Sequence, residues 1–449
     1  MKQMLKNLSP GMKHLARSTA QMTVGKLPPP ASRLTGSLAL HGAKPVRDIR
    51  YRPWANSHSG NFLPWLTTVG PSFRAIFLSG AEGLPQTRQK EFARQWAEYC
   101  GCEHALMLPH GTDALRLGLA ALFDHDGLDY GGEVMVPNLS FIASATSALD
   151  RRFGVALVDV DPGALLLDPK RVEEAIIPGK TRALMPVHQF GQPADMTSLR
   201  AIAMKHGLKI IEDAAQAHGA AWETGPVGAL GDAAAFSFQS HKNLSCGEGG
   251  ILTTNDSAVF ERAHSMHNAG RRPGGGGRWE HEILGWNCRP TEYQAALLLY
   301  RFGLFERQQE TRARSFAKLR GLIKEVGSLE PLAVDDRVRR HGMYMFVMRY
   351  RPGQCGGVDL ETFLQAVQAE GAPIHRAYSC TMSSQPALQK VLARHPDYIR
   401  ILPTPVADQA AKEIVYIPGD VLLGTPADMA EIVAAIRKVE THFRSNSRL

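Results

Sequence analysis

A lysine set among small and apolar residues is the first candidate for chemistry. In GDAAAFSFQSHKNLSCGEGGILTTND, residues 231–256, a small-residue strand ends at Ser237. Lys242 follows five residues later, ahead of the turn Gly247–Glu248–Gly249–Gly250. Burial favours a neutral amine, and a neutral amine attacks carbonyl carbon. The alternative is a solvated surface lysine. In KIIEDAAQAHGA, residues 209–220, Asp213 closes a buried strand at the end where open α/β sheets bind ligands. Its carboxylate could pair with a protonated ring nitrogen, with Gln216 and His218 near enough to hydrogen-bond a ligand. It could equally cap a helix. In HGTDALRLGLAAL, residues 110–122, a small-residue turn opens a helix. The amides of Gly111, Thr112 and Asp113 would face an anion there, and the Thr112 hydroxyl can bond a phosphate or cap the helix. The spacing is not that of a Walker A loop.

Taken together, the three motifs fit a planar aromatic aldehyde carrying a phosphate. The helix start and Ser237 would hold the phosphate, and Asp213 would keep a pyridine nitrogen protonated. Lys242 would hold the aldehyde carbon and then shuttle protons. That ligand is pyridoxal 5′-phosphate.

These residues need a scaffold of strands ending at one edge. Short apolar strands are predicted at 105–108, 133–137, 155–159, 183–187, 208–211 and 233–238, with helices at 113–122 and near 141–149. Such alternation predicts an α/β fold with a mostly parallel sheet covered on both faces. A helix from Thr291 to about Glu325 ends this region. The remainder reads as a smaller α+β unit, with strands at 343–350 and 413–417 and a helix at 359–370. Its last helix has Thr425 as N-cap and Pro426 at the first helical position. The expected division is a basic extension over 1–35, a large domain over 36–315 and a small domain over 316–449.

Composition narrows the function. Of 51 lysines and arginines, eight fall in residues 1–47, which contain no acid, so the rest balances at 43 basic against 43 acidic residues. A neutral body lacks the footprint of a nucleic-acid binder. No apolar run is long enough to span a membrane. Six cysteines are too few for a disulfide scaffold, and Cys100 and Cys102 have no partners completing a zinc pattern, so no metal is expected. With no secretory signal, the expected location is the cytoplasm. Gly274–Gly277 reads as a loop.

The ordered motifs HGTDAL, VPNLSFIASATSAL (136–149), VALVDVDP (155–162), PVHQFGQPADM (186–196), IEDAAQAHGA, FSFQSHKNLSCGEGG and LGWNCRPTEYQAALL (284–298) resemble the DegT/DnrJ/EryC1/StrS family of pyridoxal-phosphate aminotransferases over residues 36–440. The resemblance implies fold type I, as in aspartate aminotransferase: a large α/β/α domain with a mixed, mostly parallel sheet, and a small α+β C-terminal domain. It implies that Lys242 is the Schiff-base lysine, Asp213 the partner of the pyridine nitrogen and Gln216 a contact to the ring hydroxyl. Phe141 falls where an aromatic stacks on the ring, although its position alone reads as core. Thr112 and Ser237 match phosphate contacts, alongside Gly111 and Asp113. Asn287 matches an asparagine that reaches the phosphate from a second subunit, which implies a homodimer with shared sites. His188, Arg289 and Tyr344 are the candidate substrate contacts.

Segments 37–47, 291–298 and 402–424 are similar to the subgroup of glutamine:scyllo-inosose aminotransferases and 3-amino-5-hydroxybenzoate synthases. This implies transfer of an amino group from glutamine or glutamate to a cyclitol or keto-sugar ketone. The alternative within the family is a lyase or synthase. In the dehydratases a histidine replaces the lysine, and His241 adjoins Lys242.

Overall fold

The computed structural model describes residues 38–41, 44–47, 62–80, 87–272 and 279–446. The basic extension, Gly274–Gly277 and Arg278 lie outside the described residues. The strands are β1 (His104–Leu108), β2 (Glu133–Pro137), β3 (Gly154–Val158), β4 (Thr181–Leu184), β5 (Lys209–Asp213), β6 (Ala221–Trp222), β7 (Gly225–Pro226) and β8 (Ala233–Ser237). They continue with β9 (Gly250–Thr254), β10 (Leu329–Pro331), β11 (Met345–Tyr350), β12 (His375–Arg376), β13 (Ile399–Ile401) and β14 (Ile414–Pro418).

Eight strands form the main sheet in the order β1-β9-β8-β5-β4-β2-β3-β13. Pairing from β8 through β13 is parallel, and β9 alone runs against its neighbours. Strands such as MVP and VALV are buried on both faces, as helix-covered parallel strands must be. The period-two alternation assigns each residue to a face. Ala234, Phe236 and Ile210 join one core with Trp96; Ala233, Ala235 and Ile211 join the other with Leu115 and Leu119 of the helix Gly111–Phe123. Fold type I, with its large α/β layer, is the architecture observed.

The second sheet, β10-β11-β14-β12, is antiparallel throughout. The helix Glu292–Ile323 connects the two layers: Leu298 and Phe305 pack in the first core, Leu319 and Ile323 in that of the second sheet. Its start is set by a capping box in which Thr291 and Gln294 bond each other's backbone. The span after residue 316 divides between the sheets, because β13 leaves the second and pairs with β3. There Arg400 reaches the buried Glu133 through its Nε at 2.9 Å. The strand expected at 183–187 stops at Leu184, since Pro186 has no N–H for the ladder; Val187 keeps a single bridge to Asp213.

No helix among the described residues is long and apolar enough to cross a membrane. The first core is organised by Trp96, fully buried, with ring centroids 5.1 Å from Phe236, 5.4 Å from Phe238 and 5.6 Å from Phe302. Trp96→Ala should therefore lower unfolding stability by about 3–5 kcal/mol. Urea titration followed by circular dichroism reads this, and an unchanged midpoint would contradict the assignment of Trp96 to the packing centre.

Candidate active site

The C-terminal ends of neighbouring strands carry the candidate chemistry. Asp213 ends β5 and Ser237 ends β8, which pair in parallel. The helix Gly111–Phe123 begins beside them, two residues earlier than its apolar pattern suggests. Its N-cap, His110, is extended and makes no side-chain cap bond, so the first amides are left for another acceptor. Close packing fixes this start. A Cβ on Gly111 would lie 2.8 Å from the Ser237 Cβ, and one on Gly250 would lie 2.3 Å from the His110 carbonyl carbon. Both glycines are needed for backbone to approach backbone here.

A cavity of about 760 Å³ opens at this edge. It brings together Gly111, Thr112, Asp113, Phe141, Asp213, Gln216, Ser237, Lys242 and Tyr344. Phe141 is 63% exposed, which excludes a core role and leaves its ring free to stack. The Asp113 carboxylate is 2.8 Å from Arg116 Nε, so its backbone amide is the group left for an anion. Lys242 is half-buried, with its Nζ 4.6 Å from the Tyr344 ring centroid. Burial lowers the lysine to about 8, against the opposing pull of Asp213. Burial also raises the Tyr344 phenol, to about 12.

Asp213 is 5% exposed. Its carboxylate accepts from Ser144 Oγ at 2.7 Å and from the Ala215 N–H at 3.2 Å. Burial still holds its pKa above the ordinary carboxylate value, with those bonds and Lys242 working in the opposite direction. A protonated ring nitrogen would supply the charge partner this carboxylate lacks.

Gln216 is held at both ends. Its Oε1 accepts from the Phe190 N–H at 2.7 Å, and its Nε2 donates to Tyr378 Oη at 3.0 Å. Phe190 has φ +60°, and Gly191, at φ +98°, could not carry a Cβ without meeting Met343 N at 2.7 Å. Met343 is itself left-handed at φ +53°, and the Gly342 N–H donates to the Gly191 carbonyl at 2.6 Å. Two strained turns thus brace each other and set Gln216 and Tyr344 in the wall.

Four candidates stand elsewhere. His188 is fully buried behind Asp213: its Nε2 lies 2.9 Å from Glu212 Oε2, and its Nδ1 accepts from the Ala194 N–H at 3.0 Å. It does not line the cavity. Arg289 donates to Asn268 Oδ1 at 2.9 Å, and Asn287 is exposed, bridging Asn268 by its backbone; neither lines this chain's cavity. His218, read as a possible ligand contact, turns away. Its Nε2 bonds the Ser237 carbonyl at 2.7 Å, and burial drops its pKa to about 3.

Sequence reasoning missed Arg376, Tyr378 and Tyr416, which bring the second sheet into the cavity wall. Tyr416 lies in the alternating strand EIVYI, but nothing in that pattern tells which core its ring faces. Ser144, the donor to Asp213, sat inside a matched segment without a distinguishing neighbour.

The family model for DegT/DnrJ/EryC1/StrS aminotransferases matches residues 78–437. An L-glutamine:scyllo-inosose aminotransferase of Streptomyces griseus is 34% identical over 432 residues, covering 92% of this chain and all of that protein. An L-glutamine:2-deoxy-scyllo-inosose aminotransferase of Streptomyces paromomycinus is 33% identical over 428 residues, covering 91% and 99%. The crystal structure of 3-amino-5-hydroxybenzoic acid synthase superposes with a TM-score of 0.75 at 26% identity, covering 89% of this chain and all of that one. DesV of S. venezuelae, solved with a ketimine intermediate, gives 0.73 at 29%, covering 84% and 95%. Pyridoxal 5′-phosphate is the cofactor, and the uncapped helix start, the glycine cradle, the buried Asp213 and the lowered pKa of Lys242 fit it. The chain belongs to the DegT/DnrJ/EryC1/StrS aminotransferase family.

Proposed function

We propose that this aminotransferase moves the amino group of glutamine, or of glutamate, to the ketone of a cyclitol, working as a homodimer in the cytoplasm. The observation that carries the reading is Lys242 and Asp213 in one cavity, the amine shifted toward neutrality and the acid desolvated. The relatives named above supply the donor and acceptor classes.

When bound, the cofactor supplies an electron sink for the carbon that loses its proton. The chain's own groups do the rest. The amides of Gly111, Thr112 and Asp113, with the Thr112 and Ser237 hydroxyls, hold the phosphate. Phe141 stacks on the ring, Gln216 meets the ring hydroxyl, and Asp213 keeps a proton on the ring nitrogen. Lys242, as free amine, takes the proton from the donor's α-carbon and returns it when the acceptor is aminated. Tyr344 holds the Lys242 side chain over its ring face. Asn287, exposed and outside its own cavity, suits a role in the cavity of a second copy. The six cysteines are free thiols, four of them buried, which suits a reducing compartment. A lyase reading with histidine in place of lysine is not favoured, since Lys242 itself lines the cavity and the relatives are named as aminotransferases.

The deciding experiment offers glutamine with 2-deoxy-scyllo-inosose and a nucleotide-linked keto-sugar in competition, and follows the products by mass. Amination of the cyclitol should dominate. Preference for the nucleotide-linked sugar would overturn the acceptor class and leave the cofactor chemistry intact.

Borohydride reduction of the holoenzyme should fix the cofactor covalently on the peptide bearing Lys242, and Lys242→Ala should abolish that mass shift while remaining folded. Labelling elsewhere would refute the role of Lys242. Uptake of pyridoxal phosphate by cofactor-free protein should accelerate through a midpoint near pH 8, because the free amine is the attacking form. Asp213→Asn removes the charge that favours the ammonium, so its midpoint should fall below the parent's. A midpoint near 10 in the parent would mean that Lys242 is solvated. Gly250→Ala should weaken cofactor affinity at least about tenfold with circular dichroism unchanged, since the new methyl meets His110 backbone that cannot yield. Parent affinity would show that the helix start tolerates displacement.

A further inference from the structure

Lys242 reaches the cavity on a flexible four-carbon stem, so its amine needs a wall to hold its direction. Behind that wall and outside the cavity, two side chains of the helix Glu292–Ile323 lie buried one turn apart: Gln309 and Arg312, each 1% exposed. Arg312 is a cation taken out of water, and among the described residues no carboxylate pairs with it. Burial lowers its pKa to about 10, against the pull of Asp420. Its Nε donates to the Gly419 carbonyl at 3.2 Å and its Nη1 to Gln309 Oε1 at 3.0 Å. Such a charge is costly to bury, and the reaction described above uses neither it nor the Gln309 amide.

The pair fixes the orientation of one amide. A guanidinium has donors only, so Gln309 must turn its oxygen to Arg312 and its nitrogen the other way. There Nε2 donates to the His218 carbonyl at 3.0 Å and to the Gly342 carbonyl at 3.2 Å. Both carbonyls belong to segments that lead to the cavity. His218 Nε2 bonds the Ser237 carbonyl at 2.7 Å. Gly342 precedes the left-handed Met343 and then Tyr344, whose ring centroid is 4.6 Å from Lys242 Nζ. The same Gly342 carbonyl accepts from Asn243 Nδ2 at 2.7 Å, and Asn243 is the buried residue that follows Lys242. Gly419 packs against the same group: a Cβ there would lie 2.5 Å from the Tyr344 carbonyl oxygen and 2.9 Å from Asn243 Oδ1. The lysine turn and the tyrosine turn therefore meet at one carbonyl, and Gln309 is the second donor to it.

We propose that Gln309, oriented by Arg312, is a positioning residue that holds the Lys242 turn against Tyr344 and so sets where the amine points. It touches neither cofactor nor substrate and acts through Gly342, Asn243 and Tyr344. This assignment rests on the aminotransferase reading and deepens it. Lys242 moves a proton in both halves of the reaction, so a small error of placement slows both. Two donors on the Gly342 carbonyl make a brace. Without the Gln309 N–H, the Asn243 bond alone is a pivot about which the two turns can rotate.

Two variants separate holding from packing. Gln309→Glu keeps an acceptor for Arg312 and removes both N–H groups. The double variant, Gln309→Met with Arg312→Met, removes both polar partners at similar volume and leaves no buried charge behind. Both should keep the parent's far-ultraviolet circular dichroism. In the half-reaction of holoenzyme with glutamine, followed by stopped flow, each should lower the saturating rate at least about tenfold and leave the half-saturating glutamine concentration within about threefold. The circular dichroism induced in the visible band of the bound cofactor should fall by about half or more in both, because the ring is held by the amine that has lost its direction. A parent rate in either variant overturns the proposal. In Gln309→Glu it shows the N–H bonds to be dispensable; in the double variant it shows any loss in Gln309→Glu to be an effect of charge. A loss carried wholly by weaker glutamine binding overturns it as well. If the double variant does not fold, Gln309→Met alone takes its place. A parent enzyme that takes nitrogen from no amino acid sinks the functional reading, whereas the cofactor band, read without substrate, decides Gln309 separately.

Discussion

One acid and one amine are desolvated in the same cavity, at a cost the surrounding fold must carry. Burial pushes Asp213 up and Lys242 down, so each ionised form is less favoured in the fold than in water. Their attraction moderates both shifts without cancelling them. By linkage the site lowers stability: between about pH 8 and the ordinary lysine value the unfolded chain binds the extra proton, so the Lys242 penalty fades as pH rises through that window. The Asp213 penalty is absent below the ordinary carboxylate range and present above it, because its folded-state value is raised. The scaffold offsets this with packing around Trp96 and with backbone bonds that leave the scaffold acid Glu212 fully satisfied, by the N–H groups of Gly228, Leu230 and Gly231.

The strain near the cavity belongs to the same economy of form. Phe190 and Met343 occupy left-handed backbone, which non-glycine residues adopt only where neighbours over-determine it. Here the neighbours are each other's turns, joined by the Gly342–Gly191 bond. The result is a wall whose side chains are fixed before any ligand arrives, so little ordering remains to be done on binding.

Much of this was legible in the sequence, for physical reasons. The strands of the main sheet are short, apolar and buried on both faces, so they stand out; Asp213 and Ser237 are marked by where those strands end. Lys242 is marked by the small residues around it. What the sequence hides is the facing of residues on the second sheet. Arg376 and Tyr416 come from strands too short or too mixed to show which side meets the cavity, and Tyr378 lies in irregular chain just past β12. β13 hides likewise, because Ile399–Ile401 is three residues long and carries Arg400 at its centre. His188 misleads in the other direction: a histidine in a motif next to the site is in fact spent on Glu212 and on the Ala194 amide.

The excursion of the chain to β13 has a mechanical consequence. Between the two sheets the described chain crosses three times: along the helix Glu292–Ile323, outward from β12 to β13, and back from β13 to β14. A body tethered once can swing like a door. One tethered at three separated points, with the outward strand stitched into the far edge of the main sheet, resists rotation about any single axis. Three crossings, one of them stitched into the far edge of the main sheet, work against a free swing of the second sheet. Entry and exit of substrates then fall to side chains and loops at the cavity mouth, such as the half-exposed His110–Glu248 pair, which can part without the sheets separating.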